Sequence, residues 1–138
     1  MIIKTGIDII EVKRIKESIE LYGEKFLERI YTKNEIEYCE KKNVKKYESY
    51  AARFAAKEAT LKAISEMINN KFDISWTEIE IINSENGKPR VELSESLIEK
   101  LNIKSEINIE ISLSHIEETA IASVVLYVDI GGSYGVIW

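Results

Sequence analysis

Two short segments carry acidic and basic side chains that could act on a phosphorylated ligand. GIDII, residues 6–10, sets Asp8 among β-branched residues typical of a strand. A carboxylate there must meet a cation, a hydrogen-bond donor or solvent, or else favour the N-terminus of the following helix. RFAAKEATLKAI, residues 53–64, places four charged residues among alanines: Arg53, Lys57, Glu58 and Lys62.

The second segment has helical spacing, so its charges form distinct stripes. Glu58 and Lys62 stand in the order that favours an i,i+4 pair, which is compatible with an ordinary exposed helix. Arg53 and Lys57 at the same spacing would repel, and an anion between them, most simply a phosphate, would explain their proximity. The small residues form a smooth face that lets another element approach closely: Ala52, Ala56, Ala59 and Ala63.

Two weaker features follow along the chain. Gly87, Lys88 and Pro89 occupy a hairpin turn, where glycine permits close approach and lysine supplies charge. Ser114 and His115, the latter the single histidine, end an apolar strand where side chains can reach a ligand at a sheet edge. Each feature alone is compatible with a purely structural role.

Composition restricts the class of protein. The 138 residues suit one domain, and the net charge of −5 disfavours binding to nucleic acid or an anionic membrane. A local basic cluster at 41–46 could still bind a phosphorylated ligand or an acidic partner. With Cys39 as its single cysteine and no apolar leader or membrane-spanning run, the chain is expected to be cytoplasmic.

Hydrophobic periodicity and turn signals predict an α+β fold with a largely antiparallel sheet, in the order strand, three helices, two strands, helix, two strands. Gly23 should break or bend the first helix, and Thr32 with Glu35 forms a capping box that starts the second. The third helix should run from about Tyr47 to Ile68. Residues 1–128 are predicted to form one domain, followed by a tail at 129–138.

Together, GIDIIEVKRI, RFAAKEATLKAI, NGKP and SLSHIEETAIA resemble the holo-acyl-carrier-protein synthase family of 4′-phosphopantetheinyl transferases. The resemblance runs from the first strand to about Val128, and G-x-D and F-A-A-K-E-A are its strongest motifs. It implies the fold of that family and transfer of the phosphopantetheine arm of coenzyme A to a serine of apo acyl carrier protein. Adenosine 3′,5′-bisphosphate would be the other product.

The resemblance also implies roles for individual residues. Asp8 and Glu58 would be ligands of Mg²⁺, and Lys62 would reach the pyrophosphate. The general base would be either Glu58 or a metal-bound water. The remaining nucleotide contacts would come from Arg53 and Lys57 at the coenzyme A phosphates, Gly87, Lys88 and Pro89 beside the adenine, and Ser114 and His115.

The implied partners are an acidic carrier protein and further copies of the chain. Arg14 matches the basic residues that dock the carrier, and Lys25 and Arg29 match after a one-residue insertion. Short members of the family form homotrimers with active sites between subunits, which this chain is expected to share. Two alternatives are a metal-dependent hydrolase of a nucleotide pyrophosphate and a non-catalytic module that binds coenzyme A or a carrier protein.

Overall fold

A computed structural model describes residues 1–68, 73–101 and 103–129 of the chain. Short 3₁₀ turns follow several of its helices and loops. The elements are β1 (Ile2–Glu11), α1 (Val12–Tyr22), α2 (Glu24–Ile30), α3 (Lys33–Glu40), α4 (Lys46–Ile64), β2 (Ile79–Asn83), β3 (Pro89–Leu93), α5 (Glu95–Lys100), β4 (Ile107–His115) and β5 (Thr119–Val128).

The strands form two antiparallel sheets, which confirms the α+β prediction. The larger sheet has the order β1-β5-β4, and the smaller is the β2–β3 hairpin. In the larger sheet, Asp8 of β1 lies opposite Ala122 of β5, which in turn lies opposite Leu113 of β4. Because successive side chains of a strand point to opposite faces, Gly6, Asp8 and Ile10 share the face that is turned toward α4.

The alanine-rich helix α4 packs directly on this inner face. A Cβ atom added to Gly6 would lie 1.8 Å from the carbonyl oxygen of Ala59 and 3.1 Å from the amide nitrogen of Ala63. Only a residue without a side chain allows the strand and helix backbones to come this close. Ala56, Ala59 and Ala63 are buried in the main hydrophobic cluster and Ala52 in the second cluster, so the smooth face of α4 serves the interior of the fold.

The outer face of β1 is unusually apolar. Ile3, Ile7 and Ile9 expose 60, 59 and 66% of their surface, and Val125 of the neighbouring β5 is 40% exposed. These residues point away from α4, because they alternate with the inward-facing positions of the two strands. The molecule therefore presents a contiguous apolar strip on the side of the sheet opposite its main helix.

Most of the predicted local structure is present. Gly23, with φ of +59°, separates α1 from α2, and Thr32 with Glu35 forms the expected capping box of α3. The third predicted helix corresponds to α4, which ends at Ile64, before the predicted end at Ile68. Of the predicted tail, 130–138 lies outside the described residues. None of the helices in the described part of the chain combines the length and apolar character needed to cross a bilayer.

Candidate functional site

A pocket of about 400 Å³ lies where β1, α1 and α4 meet. Its polar wall contains Asp8, Arg14, Glu58 and Lys62. Asp8 comes from the inward face of β1, and Glu58 comes from the part of α4 that packs beside that strand. Gly6 makes this convergence possible, because it lies on the same face of β1 and permits the close approach of α4. The predicted meeting of the two carboxylates is thus present in the fold.

The electrostatics of this pocket reflect two carboxylates near one cation. Partial burial, followed by repulsion from Asp8, raises the pKa of Glu58, while Lys62 opposes that rise. The Lys62 ammonium lies 3.4 Å from Asp8 Oδ1 and donates a 2.9 Å hydrogen bond to the carbonyl of Ile7. Lys62 therefore balances part of the negative charge and is held at the wall of the pocket. Asp8 does not cap α1, whose N-cap residue is Glu11.

Two carboxylate side chains with an open pocket beside them suit a hard divalent cation. Magnesium is commonly bound by one or two carboxylates while water and phosphate oxygens complete its shell. Among the described residues, no group of three or more His, Cys, Asp or Glu residues is arranged to hold a metal. The donor set of Asp8 and Glu58 thus fits an ion that takes its other ligands from a phosphorylated substrate and from water.

A second cavity, of about 420 Å³, lies on another side of α4 and shares no lining residue with the carboxylate pocket. Arg53 and Glu58 are five residues apart, which separates them by about 140° around the helix axis. The basic and aromatic part of the lining comprises Tyr38, Lys42, Lys45, Arg53, Lys88 and His115. This concentration of cations suits an anionic ligand such as a phosphate group.

Arg53 is a nearly buried residue in the lining of this basic cavity. It is 4% exposed, and its guanidinium carbon lies 3.9 Å from the centre of the Tyr38 ring. One terminal nitrogen donates a 2.5 Å hydrogen bond to Asn83 Oδ1, while the buried Nε has no hydrogen-bond partner among the described residues. A buried donor without a partner is costly, so an anion that accepted from it would be favoured.

Lys57 departs from its predicted role as a phosphate contact. Its side chain is fully buried, and its ammonium lies 2.7 Å from Glu35 Oε1. It also donates hydrogen bonds to the carbonyls of Trp76 at 3.1 Å and Ile79 at 2.7 Å, so all three N–H groups have acceptors. The repulsion expected between Lys57 and Arg53 is relieved by separate protein partners, and Lys57 lines neither cavity.

The residues predicted in the hairpin turn and at the end of β4 do not all border the same cavity. Lys88 and Pro89 line the basic cavity, whereas Gly87 lines an adjoining cavity of about 440 Å³ that also borders Arg53. His115 lines the basic cavity, and its Nδ1 lies 2.9 Å from Glu48 Oε1. Ser114 alternates with His115 along β4 and so lies on the outer face, and it is not among the described residues that line that cavity.

The predicted partner contacts are exposed. Arg14 borders the carboxylate pocket, and Lys25 and Arg29 lie on α2, which supplies Phe26 to the same pocket. All three basic side chains are accessible to a partner.

Several lining residues were not predicted individually. Lys42 and Lys45 belong to a basic run that was visible in the sequence, but without the fold nothing indicated which of its lysines faces a cavity. Asn83 ends β2 with no distinguishing motif, and Glu48, the partner of His115, lies 67 positions away along the chain. These contacts depend on tertiary packing, so local sequence contains no direct signal for them.

Comparison with known proteins identifies close relatives. A family model described as the 4′-phosphopantetheinyl transferase superfamily matches residues 4–125. The chain is 48% identical to a holo-[acyl-carrier-protein] synthase of Ruminiclostridium cellulolyticum over 121 residues, covering 88% of this chain and 89% of that protein. A protein of the same name from Clostridium tetani is 46% identical over 122 residues, covering 88% and 93%.

Solved structures agree with this comparison. A holo-(acyl-carrier-protein) synthase from Bacillus anthracis, solved in complex with CoA (3′,5′-ADP), matches with a TM-score of 0.72 and 37% identity, covering 91% of this chain and 96% of that one. The Helicobacter pylori enzyme in complex with coenzyme A matches with a TM-score of 0.74 and 34% identity, covering 89% and 99%. Both likenesses extend over nearly the whole described fold.

Proposed function

The chain belongs to the 4′-phosphopantetheinyl transferase superfamily, and from that premise we propose that it is a holo-[acyl-carrier-protein] synthase. It transfers the phosphopantetheine arm of coenzyme A to a serine of apo acyl carrier protein. The serine oxygen forms a bond to phosphorus, the pyrophosphate bond to adenosine 3′,5′-bisphosphate breaks, and the serine proton is released. The names of the relatives favour this function over the hydrolase and the non-catalytic module.

The observation that carries the proposal is the convergence of Asp8, Glu58 and Lys62 on one pocket. Phosphoryl transfer requires alignment of the reacting groups and neutralisation of charge more than covalent help from the enzyme. Lys62, anchored to the backbone of β1, supplies a fixed positive charge to this pocket. A simple phosphate-binding protein would gain nothing from two carboxylates at its site.

Asp8 and Glu58 would hold Mg²⁺. When bound there, a divalent cation supplies Lewis-acid stabilisation to the pyrophosphate oxygens. The protein's own contribution is to hold the two carboxylates close together, with Lys62 beside Asp8 to offset part of their repulsion.

The basic cavity would receive the phosphates of coenzyme A. Arg53, Lys42, Lys45 and Lys88 supply the positive charge of its lining. Proximity of His115 to Glu48 favours an imidazole that donates from Nδ1, which leaves the other ring nitrogen for the ligand. Ser114, on the outer face, would contact a nucleotide that is bound against that face.

Two copies of the chain would be needed for one complete site. The carboxylate pocket and the basic cavity share no residue and lie on different sides of α4. The exposed Ile3, Ile7 and Ile9 form an apolar strip suited to burial against another copy. We therefore infer a homotrimer in which the carboxylate pocket of one subunit meets the basic cavity of the next.

The carrier protein would dock beside the carboxylate pocket. Arg14 lies at the pocket wall, and Lys25 and Arg29 are exposed on the neighbouring α2. A local basic patch is needed because the net charge of −5 opposes the approach of an acidic partner. The reaction would take place in the cytoplasm, where a free thiol such as Cys39 stays reduced.

The decisive experiment is to incubate the protein with apo acyl carrier protein, coenzyme A and Mg²⁺ and to follow the carrier by intact-mass spectrometry. The carrier should gain the mass of one phosphopantetheine arm. Glu58→Gln should abolish this gain, whereas Glu66→Gln, at an exposed carboxylate outside both cavities, should not. An unmodified carrier that a known transferase can load would contradict the proposal, and adenosine bisphosphate release without any carrier would favour a hydrolase.

A further inference from the structure

A buried ion pair links the helices to the free edge of the β2–β3 hairpin. Lys57 and Glu35 are both fully buried, with their charged atoms 2.7 Å apart. Glu35 is also the capping-box residue of α3, and its Oε1 accepts a 2.8 Å hydrogen bond from the amide of Thr32. The pair therefore joins the start of α3 to the middle of α4.

The same pair forms hydrogen bonds with the backbone of β2. Lys57 donates to the carbonyl of Ile79, and Glu35 Oε2 accepts from the amide of Ile81 at 2.8 Å. Residues i and i+2 of a strand direct their backbone groups to the same edge. Since β2 pairs only with β3 among the strands that the structure describes, Lys57 and Glu35 occupy the position that a third strand would take.

This edge lies two residues before the part of the hairpin that lines the basic cavity. Asn83, the last residue of β2, accepts a hydrogen bond from Arg53 and donates a 2.9 Å bond to the carbonyl of Gly87. Lys88 and Pro89 follow directly and line the cavity. The location of β2 relative to α4 therefore sets the distance between Arg53 on the helix and Lys88 on the turn.

We infer that Lys57 and Glu35 are positioning residues for coenzyme A, which hold the β2–β3 hairpin so that Arg53 and Lys88 face the same phosphorylated ligand. This inference rests on the proposed function. Neither residue touches the ligand, because both are fully buried and neither lines either cavity. Their effect is transmitted through the backbone of β2 and through Asn83.

Orientation explains the pair better than stability does. A buried ion pair contributes little net stability compared with well-packed apolar residues, because both charges lose their hydration. The edge of β2, however, presents both an acceptor at Ile79 and a donor at Ile81, and a lysine–glutamate pair satisfies both. Apolar side chains in their place would leave these backbone groups unpaired and the hairpin without its register on α4.

The test compares Glu35→Gln, Lys57→Met and the double variant with the wild type. A glutamine amide cannot accept at both ends, so Glu35→Gln breaks the contact with either Lys57 or Ile81. The KM for coenzyme A should rise about tenfold, as when a residue that orients a ligand contact is lost. The kcat and the Mg²⁺ concentration for half-maximal rate should stay within about twofold of the wild type.

Direct binding supplies an independent readout. Calorimetric titration with adenosine 3′,5′-bisphosphate should show a Kd raised by a similar factor. The double variant should be more stable than Lys57→Met, because it contains no unpaired buried charge. Its Kd for adenosine 3′,5′-bisphosphate should nevertheless stay raised. Leu126→Ala, a buried change in β5, is the control for lost stability and should leave this Kd unchanged.

Folded variants with wild-type affinity for the bisphosphate would overturn the inference. So would a loss of affinity in Leu126→Ala that matched the loss in Glu35→Gln. A wild type that binds coenzyme A but never modifies the carrier would contradict the proposed function instead. The Kd values of the variants for the bisphosphate, relative to that of the wild type, would still decide the role of Lys57 and Glu35.

Discussion

At the scale of single residues, the proximity of Asp8 and Glu58 has an energetic cost in the protein alone. Repulsion between them contributes to the raised pKa of Glu58, and Lys62 offsets only part of it. Charged side chains that lie close together in order to bind a ligand often lower the stability of the folded protein until the ligand is bound. The pocket should therefore become more stable when a divalent cation is added.

The thermal stability of Glu58→Gln tests this expectation. Without divalent ions, the variant should melt at or above the wild-type temperature, because one of two repelling charges is gone. Addition of Mg²⁺ should raise the Tm of the wild type through preferential binding to the folded state and leave the variant nearly unchanged. Differential scanning fluorimetry with and without Mg²⁺ measures both effects.

The control is Glu66→Gln, which should retain the full Mg²⁺-dependent shift. An equal shift in Glu58→Gln and the wild type would show that Glu58 is not a metal ligand. The shift in Tm can be measured without enzymatic activity, so this comparison is independent of the transfer assay.

At the scale of secondary-structure elements, the contact between β1 and α4 is the most restrictive in the fold. Gly6→Ala would place a methyl group 1.8 Å from the carbonyl of Ala59, and backbone atoms cannot rotate away as a side chain can. We expect a loss of at least about 1–3 kcal/mol in the free energy of unfolding, as for other overpacked sites. Urea denaturation followed by circular dichroism gives this value.

Gly23→Ala is the matched comparison for Gly6→Ala. Among the described residues no atom lies within 4 Å of a Cβ at Gly23, so the cost of the substitution comes from the backbone conformation, φ +59° and ψ −135°, and is about 1–3 kcal/mol. Only Gly6→Ala should also weaken the Mg²⁺-dependent shift in Tm, since only this change separates Asp8 from Glu58. Equal effects of the two substitutions on metal binding would contradict the role assigned to Gly6.

Sequence periodicity was sufficient to predict the order of the elements, the break at Gly23, the hairpin and the α3 capping box. Periodicity did not predict that Asp8 and Glu58 meet; that expectation came from the resemblance of the two motifs to the transferase family. The prediction failed for Lys57, because the local pattern showed a neighbouring Arg53 but not Glu35, which lies 22 positions earlier. Ion pairs between distant segments follow from tertiary packing, which helical spacing does not encode.

At the scale of the whole molecule, the proposed division of the site between subunits predicts complementation. Glu58→Gln damages only the carboxylate pocket, and Arg53→Ala damages only the basic cavity. Each variant alone should be inactive. Co-expressed and randomly mixed at equal amounts, they should recover about a quarter of the wild-type activity, because that fraction of interfaces combines two intact halves.

The complementation is measured by the same carrier-modification assay. Purification through two different affinity tags removes the uniform trimers and raises the expected recovery to about a third, because one of three interfaces in each mixed trimer combines two intact halves. A mixture of separately assembled variants, never exchanged, is the control and should stay inactive. Absence of recovery in verified mixed oligomers would place the whole site within one chain.

A second property of the whole molecule is sensitivity to alkaline pH. Burial raises the pKa of Cys39 to about 11 from 9.0, and burial with the Glu40 hydrogen bond raises that of Tyr50 above 10.0. Above pH 9 the unfolded chain therefore releases protons that the folded chain retains, so stability should fall as the pH rises. Urea midpoints between pH 8 and pH 11, about the range of these groups, should decline.

Cys39→Ala should make the decline between pH 9 and pH 11 shallower, even though the lost thiol lowers stability at every pH. Tyr22→Phe, at an exposed tyrosine, should leave the slope unchanged. An identical slope in Cys39→Ala and the wild type would show that the buried thiol does not govern this loss.

The glycine at position 6 has a consequence for the rigidity of the pocket. A gap set by side chains can widen or narrow as rotamers exchange, but the separation of β1 from α4 is set by contact between two backbones. The backbone segments that carry the carboxylates of Asp8 and Glu58 therefore have little freedom to move apart. Under the proposed metal role, less conformational entropy would be lost on ion binding, and the missing Cβ of Gly6 would thereby contribute to the affinity for the ion.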